Sequence, residues 1–319
     1  SYISYNDTII VILIILLYLH SCNNAREFVH KEGKTGNMIL QIGIPFQEQM
    51  LSIIRWIQSF SNPFLDVVFQ LITMLGETMF SLIVVAWIFW CVDRDFGFRM
   101  GFACLTSVIV NTVVKAVCRI PRPIGYPGIR SLRKETAGGY SFPSGHTQQI
   151  GVFWYSLSLK YRQKWMAPVG GILIFLVGLS RLYLGVHTLL DVVGGLLIGL
   201  IWVLVSNAVF DWSKRKGKPT LLVVLIAPML IGLLFFRIPS YYKAAGSVFG
   251  FWLGYLMESR WIHYCVEASF PQQIAKMGIG LAGLLALRFL LKAVLPDGLF
   301  WYFVRYAGMV LWMTAGAPL

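Results

Sequence analysis

The chain has 319 residues, 57% of them apolar and only 13% charged, with a mean hydropathy of +0.69. Soluble domains carry about 25% charged residues, so this composition excludes an ordinary soluble fold and points to a chain that crosses a membrane repeatedly. The formal net charge of +13 does not indicate nucleic acid, because the cations lie in short turns between apolar runs, as anionic headgroups and membrane topology require.

Residues 8–19 form an apolar run shorter than the ~20 residues a span needs. It reads as a marginal helix or a signal-like segment without the usual basic flank. Leu19-His-Ser-Cys22 only loosely matches a lipidation motif. Residues 23–37 are polar and read as a linker, so residues 1–40 are expected to form an N-terminal apolar segment and linker. Phe46, Met50, Ile53, Ile54, Ile57 and Phe60 then recur at helical spacing opposite Gln47, Glu48, Ser52, Arg55 and Ser59. Such a helix either lies in the interface plane or packs on a bundle.

Asn62-Pro63 ends that helix. Apolar helices are expected over residues 64–75 and 78–92, interrupted at Gly76-Glu77, and over 96–118 after an Asp93-Arg-Asp-Phe-Gly turn. A polar loop rich in Gly, Pro and basic residues follows over 119–142. Three more helices are expected over 144–159, 166–181 and 185–210. Beyond the Ser213-Lys-Arg-Lys-Gly-Lys218 turn, four further spans start near Leu221, Ala244, Ile274 and Leu299. Gly246, Gly250 and Gly254 stand four apart, which lets a neighbouring helix approach closely. The five cysteines, Cys22, Cys91, Cys104, Cys118 and Cys265, form no CxxC pair and read as small apolar residues.

The fold expected is therefore all-α: a polytopic membrane helix bundle with a core over residues 41–212 and about four additional C-terminal helices over 213–319. The basic turns at Arg94 and Arg99, at Lys160, Arg162 and Lys164, and at Lys214–Lys218 fall on one side, which the positive-inside rule makes cytoplasmic. The 119–142 loop then faces the external side.

Three polar knots stand out against this apolar background. In the third, His187 and Asp191 are four residues apart, so a carboxylate can hold one imidazole nitrogen and leave the other as a nucleophile. Arg181, six residues before His187, brings a planar fork for phosphate oxygens. Alone, His-x3-Asp is more often a helix-end histidine satisfied by an acid. In the second knot, Pro143-Ser144-Gly145-His146, backbone N–H groups at a helix start suit an anion, and His146 suits proton transfer to a leaving oxygen. The plain alternative is an N-terminal cap by Ser141 or Ser144. The first knot supplies cations: Lys115 near the end of a span, where an unpaired ammonium is costly, and Arg122 between Pro121 and Pro123. Arg119 adds a cation, while Arg130, Arg133 and Lys134 read as a solvated basic loop.

The motifs Lys115-x6-Arg122-Pro123, Pro143-Ser144-Gly145-His146 and Ser180-Arg181-x5-His187-x3-Asp191, in this order, resemble the type 2 phosphatidic acid phosphatase superfamily. The resemblance covers residues 62–210 and implies a six-helix core. It implies that His187 forms a phosphohistidine, that Asp191 orients it and that His146 is the proton donor. Lys115, Arg122, Ser144, Gly145 and Arg181 would bind the phosphate, with no metal and no cofactor. The expected partners are a lipid phosphate and the bilayer, with no nucleic acid.

An isoprenoid diphosphate such as undecaprenyl diphosphate is the leading substrate expectation. Phosphatidate, phosphatidylglycerol phosphate or a sphingoid phosphate is the alternative, and a soluble sugar phosphate is less favoured. The Cys91-Val-Asp turn and Phe153-Trp154 make the pattern similar to bacterial members, which places the expected protein in an inner membrane with an external site. The rival from another class is a lipid-phosphate binder or transporter that does not hydrolyse.

Overall fold

The computed structural model describes residues 38–317, with side chains from residue 47. The readings made on residues 8–19, on Leu19–Cys22 and on the 23–37 linker lie outside the described residues. Every regular element among the described residues is helical.

The first helix, α1 (Met38–Ser59), begins well before Phe46. It packs on the bundle: Leu51, Ile54 and Ile57 are buried, the last two in one cluster with Leu182, Tyr183, Leu184 and Val186. Gln58 pins it to the 119–142 loop, its Nε2 donating to the carbonyls of Arg130 (2.6 Å) and Tyr183 (2.8 Å). The packing reading of this amphipathic stretch therefore holds for its Leu51, Ile54 and Ile57 face.

Helices α2 (Pro63–Met74) and α3 (Thr78–Cys91) follow, capped at the start by Asn62 and bent by 48° at the Gly76-Glu77 break. Next comes α4 (Arg94–Cys118), which starts two residues before Phe96 because Asp93 caps it by accepting from the Phe96 N–H at 2.9 Å. After the loop come α5 (Gly145–Tyr161), α6 (Met166–Tyr183) and α7 (Leu189–Arg215). Helix α7 begins four residues later than the apolar pattern suggests. Thr188 and Asp191 form a capping box there, and such a box fixes a helix start more firmly than hydropathy does.

The C-terminal part holds a short apolar segment around α8 (Val223–Ile231), then α9 (Pro239–Met257), α10 (Phe270–Val294) and α11 (Leu299–Leu311). By length and composition α4, α6, α7 and α10 suffice to cross a membrane, and the bent α2–α3 pair counts as a fifth candidate. The segment around α8 is shorter, with Pro228 inside it. Phe175, Ile201 and Phe289 are each more than 60% exposed, as lipid-facing side chains of a membrane bundle are.

The spaced glycines of α9 do what their spacing predicts. A Cβ on Gly246 or Gly250 would run into the backbone carbonyls of Phe303 and Ala307, and one on Gly254 into the Thr314 hydroxyl. Helices α9 and α11 therefore meet backbone to backbone, the close approach that small residues permit in a bilayer. Gly250→Leu is expected to force this pair apart at a cost of about 3 kcal/mol, as overpacking does. The measurement is the melting temperature in detergent, and an unchanged value would contradict this packing.

The basic turns gather at one end of the bundle. Lys160 pairs with Asp93 and Lys214 with Asp95, while Arg99 pairs with Asp211 and Arg94 with the buried Glu258. The 119–142 loop and the three polar knots lie at the other helix ends.

Candidate active site

The site forms where four helix ends and the 119–142 loop converge. His187 lies in the turn between α6 and α7, outside the helix rather than on its face, and its ring is buried. Arg122 Nη1 lies 3.0 Å from His187 Nε2. A guanidinium only donates, so Nε2 is the acceptor nitrogen and the ring proton resides on Nδ1. Nδ1 faces Asp191 Oδ2 at 3.5 Å and Ser141 Oγ at 3.4 Å.

Asp191 Oδ2 is itself held by Ser141 Oγ (2.6 Å) and by the Thr188 N–H (2.7 Å). The carboxylate is thus fixed first by the helix cap and by a serine, and its contact with the imidazole is the longer one. Ser141 links both partners. The sequence reading considered it only as a helix cap, and that cap is Ser144, whose Oγ accepts from Thr147 N–H (3.4 Å) and lies 3.0 Å from the Thr147 hydroxyl.

Burial holds the His187 imidazole neutral, with its pKa well below the usual histidine range. The charges of Arg122, Lys115 and Arg181, and the neighbouring His146, push in the same direction. Arg122 is pinned by three carbonyls, those of Gly138 (2.9 Å) and Gly139 (3.0 Å) in the loop and that of Val186 (2.9 Å) in the α6–α7 turn. Its pKa falls to about 10, chiefly through burial and partly offset by Asp191, so it stays charged at neutral pH. Lys115, in the last turn of α4, donates to the Tyr140 carbonyl at 2.8 Å.

Arg181 is fully buried. Its Nη1 donates to Thr73 Oγ1 at 2.7 Å, but Nε and Nη2 have no partner, and neither has His146 Nε2. Unpaired buried donors cost about 1–3 kcal/mol each, more when charged, and an anion relieves that cost. The first residue of α5, Gly145, presents its backbone beside Asn111, whose Oδ1 would lie 3.3 Å from a Cβ there.

Of the loop cations read as solvated, Arg130 is exposed but ion-paired, while Arg133 is part-buried. Arg130 makes two bonds to Asp66, at 2.7 and 2.6 Å, and Arg133 reaches Glu77 at 2.7 Å and the Gln70 carbonyl at 2.9 Å. Both tie the loop to α2 and the α2–α3 break, since their carboxylate partners come close once the chain folds. Lys134 is exposed, as expected.

Two glycine features of the site are structural necessities. A Cβ on Gly195 of α7 would sit 2.5 Å from the Ser144 carbonyl, so α7 can approach the Ser144 turn only without a side chain there. A Cβ on Gly76 would sit 2.9 Å from His146 Cβ, its carbonyl oxygen and Val177. Gly76→Val is therefore expected to displace His146 and lower kcat about 10²-fold while leaving the bundle folded. A parallel circular-dichroism melt checks the fold, and unimpaired kcat would contradict the close packing of Gly76 on His146.

Residues 96–215 match the PAP2 superfamily, and residues 242–319 match the PAP2 superfamily phosphatase, transmembrane extension. The chain is 24% identical over 218 residues to sphingosine-1-phosphate phosphatase 2 of Mus musculus, covering 62% of this chain and 61% of that protein. It is 30% identical over 167 residues to phosphatidylglycerophosphatase B of Bacillus subtilis, covering 48% of this chain and 79% of the relative. The solved structure of a transmembrane PAP2 type phosphatidylglycerolphosphate phosphatase from Bacillus subtilis aligns with a TM-score of 0.44 at 27% identity, over 62% of this chain and 96% of that one. The relatives thus include a mammalian and a bacterial protein, and the chain spans about three fifths of the mammalian one.

Proposed function

Because the chain belongs to the PAP2 superfamily of membrane phosphatases, we propose that it hydrolyses a membrane-borne lipid phosphate by attack of His187 on phosphorus. The observation that carries this reading is the pairing of one acceptor with several donors. His187 Nε2 offers a lone pair, while Arg181 Nε, Arg181 Nη2 and His146 Nε2, whose residues act electrostatically on that ring, are buried without partners.

In the proposed sequence the substrate phosphate takes the place of His187 Nε2 on the Arg122 fork, so Arg122 passes from holding the nucleophile to holding phosphate oxygens. Lys115, Arg122, Arg181 and the backbone at Ser144 and Gly145 meet the three non-bridging oxygens. His187 Nε2 forms the N–P bond as the bond from phosphorus to the lipid oxygen breaks. His146 gives its proton to that oxygen. The incoming phosphate dianion supplies the negative charge that lets His146 hold a proton among so many cations. Water then attacks the phosphohistidine, His146 takes a proton back, and phosphate leaves as His187 is restored. Asp191 and Ser141 stabilise the charge that grows on the ring, through Nδ1.

We infer that the substrate is the phosphomonoester of a single-chain lipid of the sphingoid kind. The similarity to the mouse sphingosine-1-phosphate phosphatase supports it, since that match runs over 218 residues against 167 for the phosphatidylglycerophosphatase. The isoprenoid diphosphate expected from the sequence is the competing substrate. The basic turns gathered at the opposite end of the bundle support a site on the external or lumenal face.

The test is phosphate release by purified protein in detergent from sphingosine 1-phosphate, phosphatidate, an isoprenoid diphosphate and glucose phosphate, with a chelator present. The expected result is the highest kcat/KM for the single-chain monoester, undiminished by the chelator. Preference for the diphosphate would replace the substrate reading, and tight binding without release would replace the phosphatase reading with that of a transporter.

A further inference from the structure

At the seam between the core and the C-terminal helices lies a cavity of about 350 Å³ with almost wholly apolar walls. Leu82 and Ile83 of α3 and Leu105 of α4 form its core side, and Leu281, Met309 and Val310 of α10 and α11 close the other. A second, more polar cavity of about 270 Å³ reaches Gly145 and His146 of the site and is bounded by Asn111 and Gln149. The two share the walls made by Thr78, Met79 and Val108. An apolar chamber therefore adjoins the proton-transfer end of the site through a common boundary. Its α3 wall runs from Thr78 to Ala86, about 12 Å of helix.

We propose that this chamber holds the hydrocarbon tail of the substrate, so that α10 and α11 act as a tail-binding wall; this rests on the lipid phosphatase reading above. The occupant is a single unbranched chain. The chamber's volume is at the low end of the range for ligand sites, which suits one chain better than two side by side. Its position fits the chemistry. In the proposed reaction the bond that breaks joins phosphorus to the lipid oxygen, and His146 protonates that oxygen. The rest of the lipid must therefore leave the site on the His146 side. There it meets the polar cavity first, where the buried Gln149 Nε2 has no partner and suits a hydroxyl near the phosphate. The apolar chamber comes next. Its floor lies toward the end that carries the basic turns, near Met313, whose carbonyl accepts from Trp90 Nε1 at 3.0 Å.

The consequence is chain-length selectivity set by residues remote from the phosphate. Ile83 lines the chamber yet is 45% exposed, and Leu281 is part-buried, so both accept larger side chains without disrupting the core. The test compares Ile83→Trp and Leu281→Trp with the unaltered protein on hexadecyl phosphate and butyl phosphate, two monoesters with the same reacting group. The expected result is a fall of about tenfold or more in kcat/KM for the long ester, with butyl phosphate hydrolysis unchanged. Equal effects on both esters, or no effect on either, would overturn the tail site.

A second readout does not depend on turnover. A hexadecyl phosphate carrying a photoreactive diazirine at its chain end is expected to label peptides of α3, α10 and α11 in the protein as purified, and labelling confined to lipid-facing residues of other helices, such as Phe175 of α6 or Ile201 of α7, would overturn the tail site. If neither ester is hydrolysed by the unaltered protein but the label still falls on those helices, the phosphatase reading fails and the tail site stands.

Discussion

His187→Ala is expected to abolish phosphate release, by ~10³-fold or more, without lowering the melting temperature. The ring is buried but makes few bonds: Arg122 on one side, and Ser141 and Asp191 at 3.4 and 3.5 Å on the other. Arg122 keeps its three carbonyl partners when the imidazole is removed, and Asp191 keeps Ser141 and the Thr188 N–H. The polar neighbours of the ring therefore stay paired without it, while the proposed chemistry depends on it entirely. Asp191→Asn is expected to cost less in rate, about 10- to 100-fold, as loss of a group that orients a reacting histidine does. It should cost more in stability, because Asp191 also starts α7 as part of a capping box. The pair of variants separates the two roles: activity falls most at residue 187, stability at residue 191. A His187→Ala protein that still turns over lipid phosphate would remove the mechanism.

Replacing Arg181 by methionine has the second largest expected effect, and it acts on activity and stability in opposite directions. The guanidinium is fully buried, with one bond to Thr73 and two nitrogens unpartnered. Without phosphate such a group is a burden to the fold, and an apolar side chain of similar length is neutral or stabilising there. In the proposed reaction its free donors meet the charge that builds up on the equatorial oxygens, and loss of such a donor costs about 10²–10³-fold in rate. Arg181→Met is thus expected to lower kcat/KM by that factor while leaving the melting temperature equal or higher in phosphate-free buffer. The unaltered protein alone should gain stability on addition of inorganic phosphate or vanadate. A variant that is both inactive and unstable would mean that Arg181 is a structural residue of α6, and that reading would displace its role as a phosphate ligand.

Much of this arrangement was legible in the sequence, and its limits have physical causes. Apolar runs located the helices because lipid requires continuous helical hydrogen bonding wherever the chain crosses. Helix starts were misplaced where polar caps overrule hydropathy: Asp93 starts α4 early and Thr188 starts α7 late. The Gly246, Gly250 and Gly254 series announced the α9–α11 contact, since repeated small residues have one common use in a membrane. The residues that carry charge to the site were readable because ionised groups stand out in an apolar chain. The neutral or loop-borne groups that hold them were not. Thr73 reads as one polar residue in an apolar run until Arg181 is seen to reach it. Ser141 reads as a helix cap until the fold places it between His187 and Asp191. Arg130 and Arg133 looked like loop charges because their partners, Asp66 and Glu77, are more than fifty residues away. Pairing across such distances is a property of the fold and leaves no local pattern.

The central claim is that phosphorus is transferred to one imidazole nitrogen, and it is tested most directly by trapping that bond. Purified protein mixed with radiolabelled lipid phosphate and quenched in alkali within one turnover should carry label that is stable to base and released by acid, as a phosphoramidate is. Peptide sequencing by mass spectrometry should place it on His187. Label on His146 or on a serine, or active turnover with no protein-bound phosphate at any quench time, would contradict the account.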